Sequence, residues 1–143
     1  MVTESFSAED TFACGFRYGQ KAKAGEVYCL YGDLGVGKTV FTQGFARGLG
    51  ILEPVNSPTF TILQIYEEGR LPLYHFDVYR IGDPDEMDEV GFDDYVEGEG
   101  VTFIEWADLI RDILPDRRKD ISIEKDLSRG FDYRRITIKE EEE

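Results

Sequence analysis

The sequence GDLGVGKT at residues 32–39 has the residue types and spacing of a phosphate-binding loop, G-x-x-x-x-G-K-[ST]. Glycines allow backbone N–H groups to approach phosphate oxygens closely. Lys38 is placed to reach β- and γ-phosphates as a mobile positive charge, and the Thr39 hydroxyl is placed to bind Mg²⁺. The pattern predicts a site for a nucleoside triphosphate, and the alternative is a chance glycine turn.

The segments on either side of the loop favour the nucleotide site over the chance turn. Residues 26–31 form a short run rich in apolar and aromatic side chains, which is typical of a buried strand. Residues 40–49 carry apolar side chains at positions 41, 45 and 49, which is helical spacing. A strand, a glycine loop and a helix in this order direct the positive end of the helix dipole at the bound anion.

Two acidic residues stand at the ends of predicted strands, where phosphate-loop proteins place the second acid of a magnesium site. Asp77 follows the apolar segment 71–76, and Glu105 follows the apolar segment 101–104. Each acid has the alternative role of capping a helix that follows its strand. Together with Lys38 they are the candidate catalytic residues.

Five further side chains lie near these motifs, and four of them have two interpretations each. His75 is the only histidine, and a lone histidine beside aromatic residues is more often a hydrogen-bonded structural residue than a base. The Thr59 hydroxyl faces a metal or phosphate, as in nucleotide switches, or simply begins a strand. Tyr79 and Arg80 contact phosphate or a partner, or belong to a surface turn. Trp106 is expected to be half-buried packing beside Glu105.

Composition limits the classes of protein to which the chain can belong. The 143 residues are 41% hydrophobic and 13% aromatic, which indicates one folded domain spanning residues 1–143. We find no apolar run of membrane-spanning length and no signal pattern, and the two cysteines lack metal spacing, so we expect a cytoplasmic protein with reduced thiols. A net charge of −14 argues against direct binding of nucleic acid.

Hydrophobic periodicity predicts an α/β fold of the P-loop NTPase type, with a mixed parallel and antiparallel sheet flanked by helices. A hairpin is predicted over residues 59–77, and residues 120–124 and 133–138 alternate as edge strands do. Residues 140–143 are predicted to be a frayed acidic tail. The remaining predictions are a strand at 101–104 and helices at 8–23, 85–90 and 107–113.

Four motifs in order resemble those of one protein family. They are GDLGVGKT at 32–39, SPTF at 57–60, HFDVYR at 75–80 and EW at 105–106. The chain resembles the TsaE (YjeE) family, the small P-loop ATPases of bacterial tRNA threonylcarbamoyladenosine biosynthesis, over about residues 5–138.

The resemblance implies an activity and partners. Members of this family bind ATP with Mg²⁺ and hydrolyse it slowly, and they associate with the proteins TsaB and TsaD. TsaD transfers the threonylcarbamoyl group to N6 of the adenosine that follows the anticodon, so the ATPase is an accessory and meets tRNA only through the complex.

The resemblance also assigns site residues. Thr39 and Glu105 are implied to bind Mg²⁺, and Asp77 is implied to lie beside the γ-phosphate. Val40 departs from the family, whose members often carry a second threonine there, so one phosphate-contacting hydroxyl is lost. The implied nucleotide contacts are Thr11, Gly35, Val36, Gly37, Lys38, Thr39, Val40, Asp77 and Arg135.

Two other functions fit the phosphate loop alone. A small-molecule or nucleotide kinase would need an acceptor pocket and an arginine-rich lid, whereas residues 82–100 are strongly acidic. A non-catalytic, nucleotide-dependent binding module is also compatible with the motifs, because phosphate loops commonly hydrolyse slowly without stimulation.

Overall fold

Strand-forming segments assemble into one mixed sheet in the computed structural model, which describes residues 1–32, 37–55 and 62–141. Helices pack against it: α1 (Ala8–Lys21), α2 (Lys38–Gly48), α3 (Glu86–Glu89) and α4 (Phe92–Val96), with 3₁₀ segments at Ala107–Ile113 and Leu127–Arg129. Within these described ranges the strands are β1 (Val2–Ser5), β2 (Val27–Tyr31), β3 (Leu63–Tyr66), β4 (Leu73–Asp77), β5 (Val101–Glu105), β6 (Arg118–Lys125) and β7 (Arg134–Glu141).

The strand order is β1-β7-β6-β2-β5-β4-β3. The four central strands β6, β2, β5 and β4 are parallel, while β1, β7 and β3 join antiparallel. The predicted mixed α/β sheet is therefore confirmed. Because the carboxyl ends of parallel strands meet at one edge, β2, β4 and β5 deliver their following residues to the same place.

The prediction that residues 120–124 and 133–138 are edge strands is wrong. In the described sheet β6 lies between β2 and β7, and the edges are β1 and β3. Alternating apolar and polar residues indicate that one face of a strand is partly exposed to solvent. An interior strand shows the same alternation when helices cover only one face of the sheet. Ile121 and Ile123 pack into the core that holds the helices, while Ser122 between them is partly exposed. β1 was not predicted from the sequence.

The frayed tail predicted at residues 140–143 is wrong for its first half. Glu140 and Glu141 belong to β7, where they pair in register with Lys119 and Arg118. Glu140 also lies 3.4 Å from the Lys119 ammonium, so an opposite charge lies beside the acidic end of this strand. The last two residues lie outside the described residues, and the single domain over 1–143 stays a prediction.

Aromatic side chains fix α2 over the centre of the sheet. The Phe45 ring lies 4.8 Å from the Tyr28 ring of β2 and 5.0 Å from the Phe103 ring of β5, and all three are buried. These contacts set the lateral position of α2 above β2 and β5. No helix in the described parts of the chain is long and apolar enough to cross a membrane.

The helices α1 and α2 touch backbone to backbone through glycines. A Cβ added at Gly44 would lie 2.1 Å from the Phe12 carbonyl oxygen, and one at Gly19 would lie 2.1 Å from the Phe45 carbonyl oxygen. Gly15 and Gly48 are similarly crowded, at 2.3 Å from backbone oxygens. Only glycine permits this approach, which fixes how far the start of α2 lies from α1.

We expect Gly44→Ala to destabilise the protein by about 2 kcal/mol or more, because the added methyl group must push the backbones of two helices apart. Denaturant unfolding measures the change. Gly82→Ala is the matched control, since its Cβ would meet only the flexible Glu86 carboxylate at 3.3 Å. Equal free energies of unfolding for the two variants would contradict this account of the helix contact.

Candidate functional site

The phosphate-loop motif lies between β2 and α2, as predicted. β2 ends at Tyr31, Gly37 precedes the first turn of α2, and Gly37 has a left-handed backbone with φ 104°. An α-helix leaves its first N–H groups without intrahelical partners, and the N-cap residue Gly37 has no side chain to cap them. The start of α2 is therefore suited to an anion. Of the predicted nucleotide contacts, Gly35 and Val36 lie outside the described residues.

Lys38 is buried at the start of α2, and its ammonium is held at the sheet edge. Its Nζ donates a hydrogen bond of 2.7 Å to the Gly32 carbonyl oxygen and lies 3.5 Å from the centroid of the Trp106 ring. The same helical turn presents Thr39, which is exposed, and Val40, which is half-buried. The cation thus lies between the ends of β2 and β5.

Asp77 and Glu105 end two adjacent parallel strands, and their Cα atoms are partners in the register. The predicted positions of both acids at strand ends are confirmed. Glu105 is 3% exposed, and its Oε2 lies 2.7 Å from His75 Nε2. The lone histidine is thus a buried hydrogen-bonded residue, as the sequence favoured. Its partner was missed, because the pairing depends on the register of β4 and β5.

Trp106 has a larger role than the half-buried packing that the sequence predicted. It packs against Tyr79 with ring centroids 4.7 Å apart and ring planes tilted by 46°, in addition to its contact with Lys38. Its φ of 62° is the one positive value at a non-glycine residue in the described ranges. Backbone strain of this kind concentrates at functional sites. Its position directly after Glu105 was the only signal in the sequence.

Thr11 lies beside the loop, and Arg135 lies farther along the same edge. The Thr11 hydroxyl is 2.7 Å from the Ser5 hydroxyl, and a Cβ at Gly37 would lie 3.9 Å from the Thr11 methyl group. Arg135 is on β7, with β6 between it and β2, and its guanidinium lies 3.7 Å from Asp126. The structure brings Thr11 to the loop, while the segment with Thr59 lies outside the described residues.

The acids fit a magnesium ion that arrives with a nucleotide. Among the residues described, no group of three or more His, Cys, Asp or Glu side chains is arranged to hold a metal. Mg²⁺ typically takes one or two carboxylates and completes its six ligands with phosphate oxygens and water. Glu105, Asp77 and the Thr39 hydroxyl supply that kind of partial donor set, which suits a metal bound to phosphate rather than a resident ion.

The environment of Asp77 disfavours its charged form. Burial raises the pKa of Asp77 above its ordinary value; the Tyr79 N–H, which donates to Oδ1 at 3.0 Å, opposes the rise. The negative charge of Glu105 adds to the rise, whereas His75 and Lys38 oppose it. Ionising the Asp77 carboxyl therefore costs more in the folded protein than in the unfolded chain, and this lowers stability at neutral pH.

We expect Asp77→Asn to raise the melting temperature at pH 7 by a few degrees, since the neutral amide removes this cost and keeps an oxygen for the Tyr79 N–H. The gain should shrink as the pH falls through the raised pKa and vanish below the ordinary range of about 3.9. Thermal melts across pH measure it, with the exposed Asp112→Asn as control. A gain that grows toward acid pH would show the explanation to be wrong.

Comparisons with known proteins agree with this geometry. Residues 5–136 match the family model described as "Threonylcarbamoyl adenosine biosynthesis protein TsaE". A protein of Bacillus subtilis named "tRNA threonylcarbamoyladenosine biosynthesis protein TsaE" is 54% identical over 117 residues, covering 82% of this chain and 71% of the relative. The protein of the same name from Treponema pallidum is 44% identical over 119 residues, covering 83% and 87%. The crystal structure of YdiB from Bacillus subtilis superimposes with a TM-score of 0.80 at 42% identity, covering 96% of this chain and 83% of YdiB. This chain belongs to the TsaE family.

Proposed function

We propose that this protein binds ATP with Mg²⁺ and hydrolyses it slowly, as the accessory ATPase that supports N6-threonylcarbamoyladenosine formation in tRNA. The observation that carries the ATPase proposal is the meeting, at the carboxyl ends of the parallel strands, of a buried lysine, a helix start with glycine as its N-cap and two strand-end acids. The printed names of the relatives support the pathway.

Phosphate binding rests on backbone and charge. The N–H groups at the start of α2 and the Lys38 ammonium belong to the same helical turn, and both favour an anion. Residues 35–40 would hold the phosphates, while Thr11, packed against the loop, would contact the rest of the nucleotide. Arg135 on the same edge is proposed as a more distant nucleotide contact.

The two acids have different proposed roles. Thr39 and Glu105 would hold Mg²⁺, which supplies neutralisation of the charge that develops on the phosphate oxygens. Asp77 would lie beside the γ-phosphate and orient the attacking water, and its half-buried carboxylate suits this role because it is drawn toward accepting a proton.

The charge of the chain supports an accessory role. At −14 it repels free nucleic acid, so tRNA would be held by partners, which we propose to be TsaB and TsaD. TsaD would carry out the threonylcarbamoyl transfer at the adenosine after the anticodon, and the ATPase would act on the complex. We place this activity in the cytoplasm.

We expect Lys38→Ala and Glu105→Gln each to lower Mg²⁺-dependent ATP turnover by about 100-fold or more, because each removes charge stabilisation that water cannot replace. Release of orthophosphate from purified protein measures the loss. The matched controls are Lys21→Ala and Glu89→Gln, both at exposed positions, which should keep wild-type turnover.

Several outcomes would contradict the proposal. Undiminished turnover in folded Lys38→Ala would reject the site, and phosphate transferred to an added metabolite would indicate a kinase. In cells that lack their own TsaE, the wild type should restore threonylcarbamoyladenosine and co-purify with TsaB and TsaD, whereas Lys38→Ala should not restore the modified nucleoside. Full restoration by that variant would favour a non-catalytic module.

Trp106 offers a direct reading of nucleotide binding. Trp106 is the only tryptophan, and the Lys38 ammonium lies over its ring. Movement of that ammonium toward a bound phosphate group should therefore change the fluorescence of Trp106. We expect ATP to shift the emission of the wild type, and Lys38→Met to have an altered emission that responds little to ATP. Unchanged wild-type emission at nucleotide concentrations that calorimetry shows to be saturating would contradict this.

A further inference from the structure

His75 is buried next to one of the proposed metal-binding acids. It is 1% exposed on β4, and its Nε2 lies 2.7 Å from the Glu105 Oε2 on β5. The Phe103 ring stands edge-on to the imidazole, with centroids 6.0 Å apart and planes at 78°. The ring therefore has little room to turn, and a rigid imidazole restrains the carboxylate to which it is bonded.

The two ring nitrogens of His75 differ in their hydrogen bonding. A carboxylate can only accept, so Nε2 carries the hydrogen that Glu105 receives. In the ranges that the structure describes, the buried Nδ1 has no hydrogen-bond partner. An unsatisfied buried nitrogen costs stability, and an apolar residue of similar shape would avoid that cost. The arrangement keeps the bond from Nε2 to Glu105 at the expense of Nδ1.

The register explains why this histidine reaches that acid. Asp77 is the Cα partner of Glu105, and His75 lies two residues earlier on β4, opposite Phe103. Side chains two apart on a strand point to the same face. His75 and Asp77 are therefore on the face that carries Glu105, one diagonal to it and the other beside it.

We propose that His75 is a positioning residue, which orients the Glu105 carboxylate for the metal ion that accompanies the nucleotide. The inference deepens the proposed function and rests on it. Histidine–carboxylate hydrogen bonds around metal sites commonly serve this purpose, and their loss typically lowers metal affinity about 10- to 100-fold. His75 thereby governs the preference for Mg²⁺-bound over metal-free nucleotide without touching either.

Two amide substitutions of His75 distinguish the effect of the hydrogen bond to Glu105 from the effect of the space that the ring fills. The Gln amide of His75→Gln can place a donor near the position of Nε2, whereas the shorter Asn amide of His75→Asn reaches only the region of Nδ1. We expect His75→Asn to lose about 10-fold in affinity for ATP with Mg²⁺ and to keep its affinity for ATP in EDTA. His75→Gln should stay within about 3-fold of wild type in both conditions, as rescue by the retained donor.

Calorimetry with and without Mg²⁺, and Mn²⁺ titration followed by electron paramagnetic resonance, measure these affinities independently of turnover. Equal losses in both variants, or a loss by His75→Asn that persists in EDTA, would overturn the positioning role. A wild type that binds ATP equally with and without Mg²⁺ would instead defeat the proposed magnesium site itself.

A further test uses the wild-type protein and so does not depend on whether a variant folds. Because His75 is the only histidine, ¹⁵N labelling of histidine gives ring signals from one residue. We expect the Nε2-protonated form, and a shift of the Nε2 signal when Mg²⁺ and ATP are added that ATP in EDTA does not reproduce. The Nδ1-protonated form, or an Nε2 signal indifferent to Mg²⁺, would overturn the proposal.

Discussion

The close contact of α1 and α2 is the constraint on which the candidate site depends. Gly19 and Gly44 allow the two helix backbones to meet, and Phe45 ties α2 to the sheet below. Together these contacts fix the distance of α2 from the sheet and the direction of its axis. The first turn of α2, which carries Lys38, then lies at the ends of β2 and β5, and Thr11 on α1 comes to lie against Gly37.

The charged groups at the carboxyl ends of the strands are arranged to suit a bound ligand rather than to stabilise the fold. Two acids end adjacent strands, which costs stability where Asp77 is ionised, and the buried Lys38 offsets only part of that cost. In the function proposed above, a nucleotide with its metal would bring both a cation for the acids and an anion for the lysine. The arrangement would then be complete electrostatically only with both charges present, as is usual where stability is given up for function.

Local patterns in the sequence were sufficient for the strand and the helix on either side of the loop and for the acids at strand ends, because those signals lie within a few residues. Long-range pairing was not readable. The bond between His75 and Glu105 depends on the register of two strands, and the interior position of β6 depends on which face the helices cover. Trp106 was assigned to packing, since a contact with Lys38 across 68 positions leaves no periodic trace.

The ammonium of Lys38 already makes good contacts within the protein, among them those with the Gly32 carbonyl oxygen and the Trp106 ring. A phosphate group must therefore compete with the protein for this cation, and the affinity reflects only the difference between the two sets of contacts. A cation–π contact is worth about 0.5–2 kcal/mol, and each 1.4 kcal/mol is a factor of ten in binding. The same contacts would take the lysine back when a phosphate group leaves. In the proposed ATPase the protein would thus compete with the nucleotide for its own lysine, which suits a site that has to release nucleotide after each turnover.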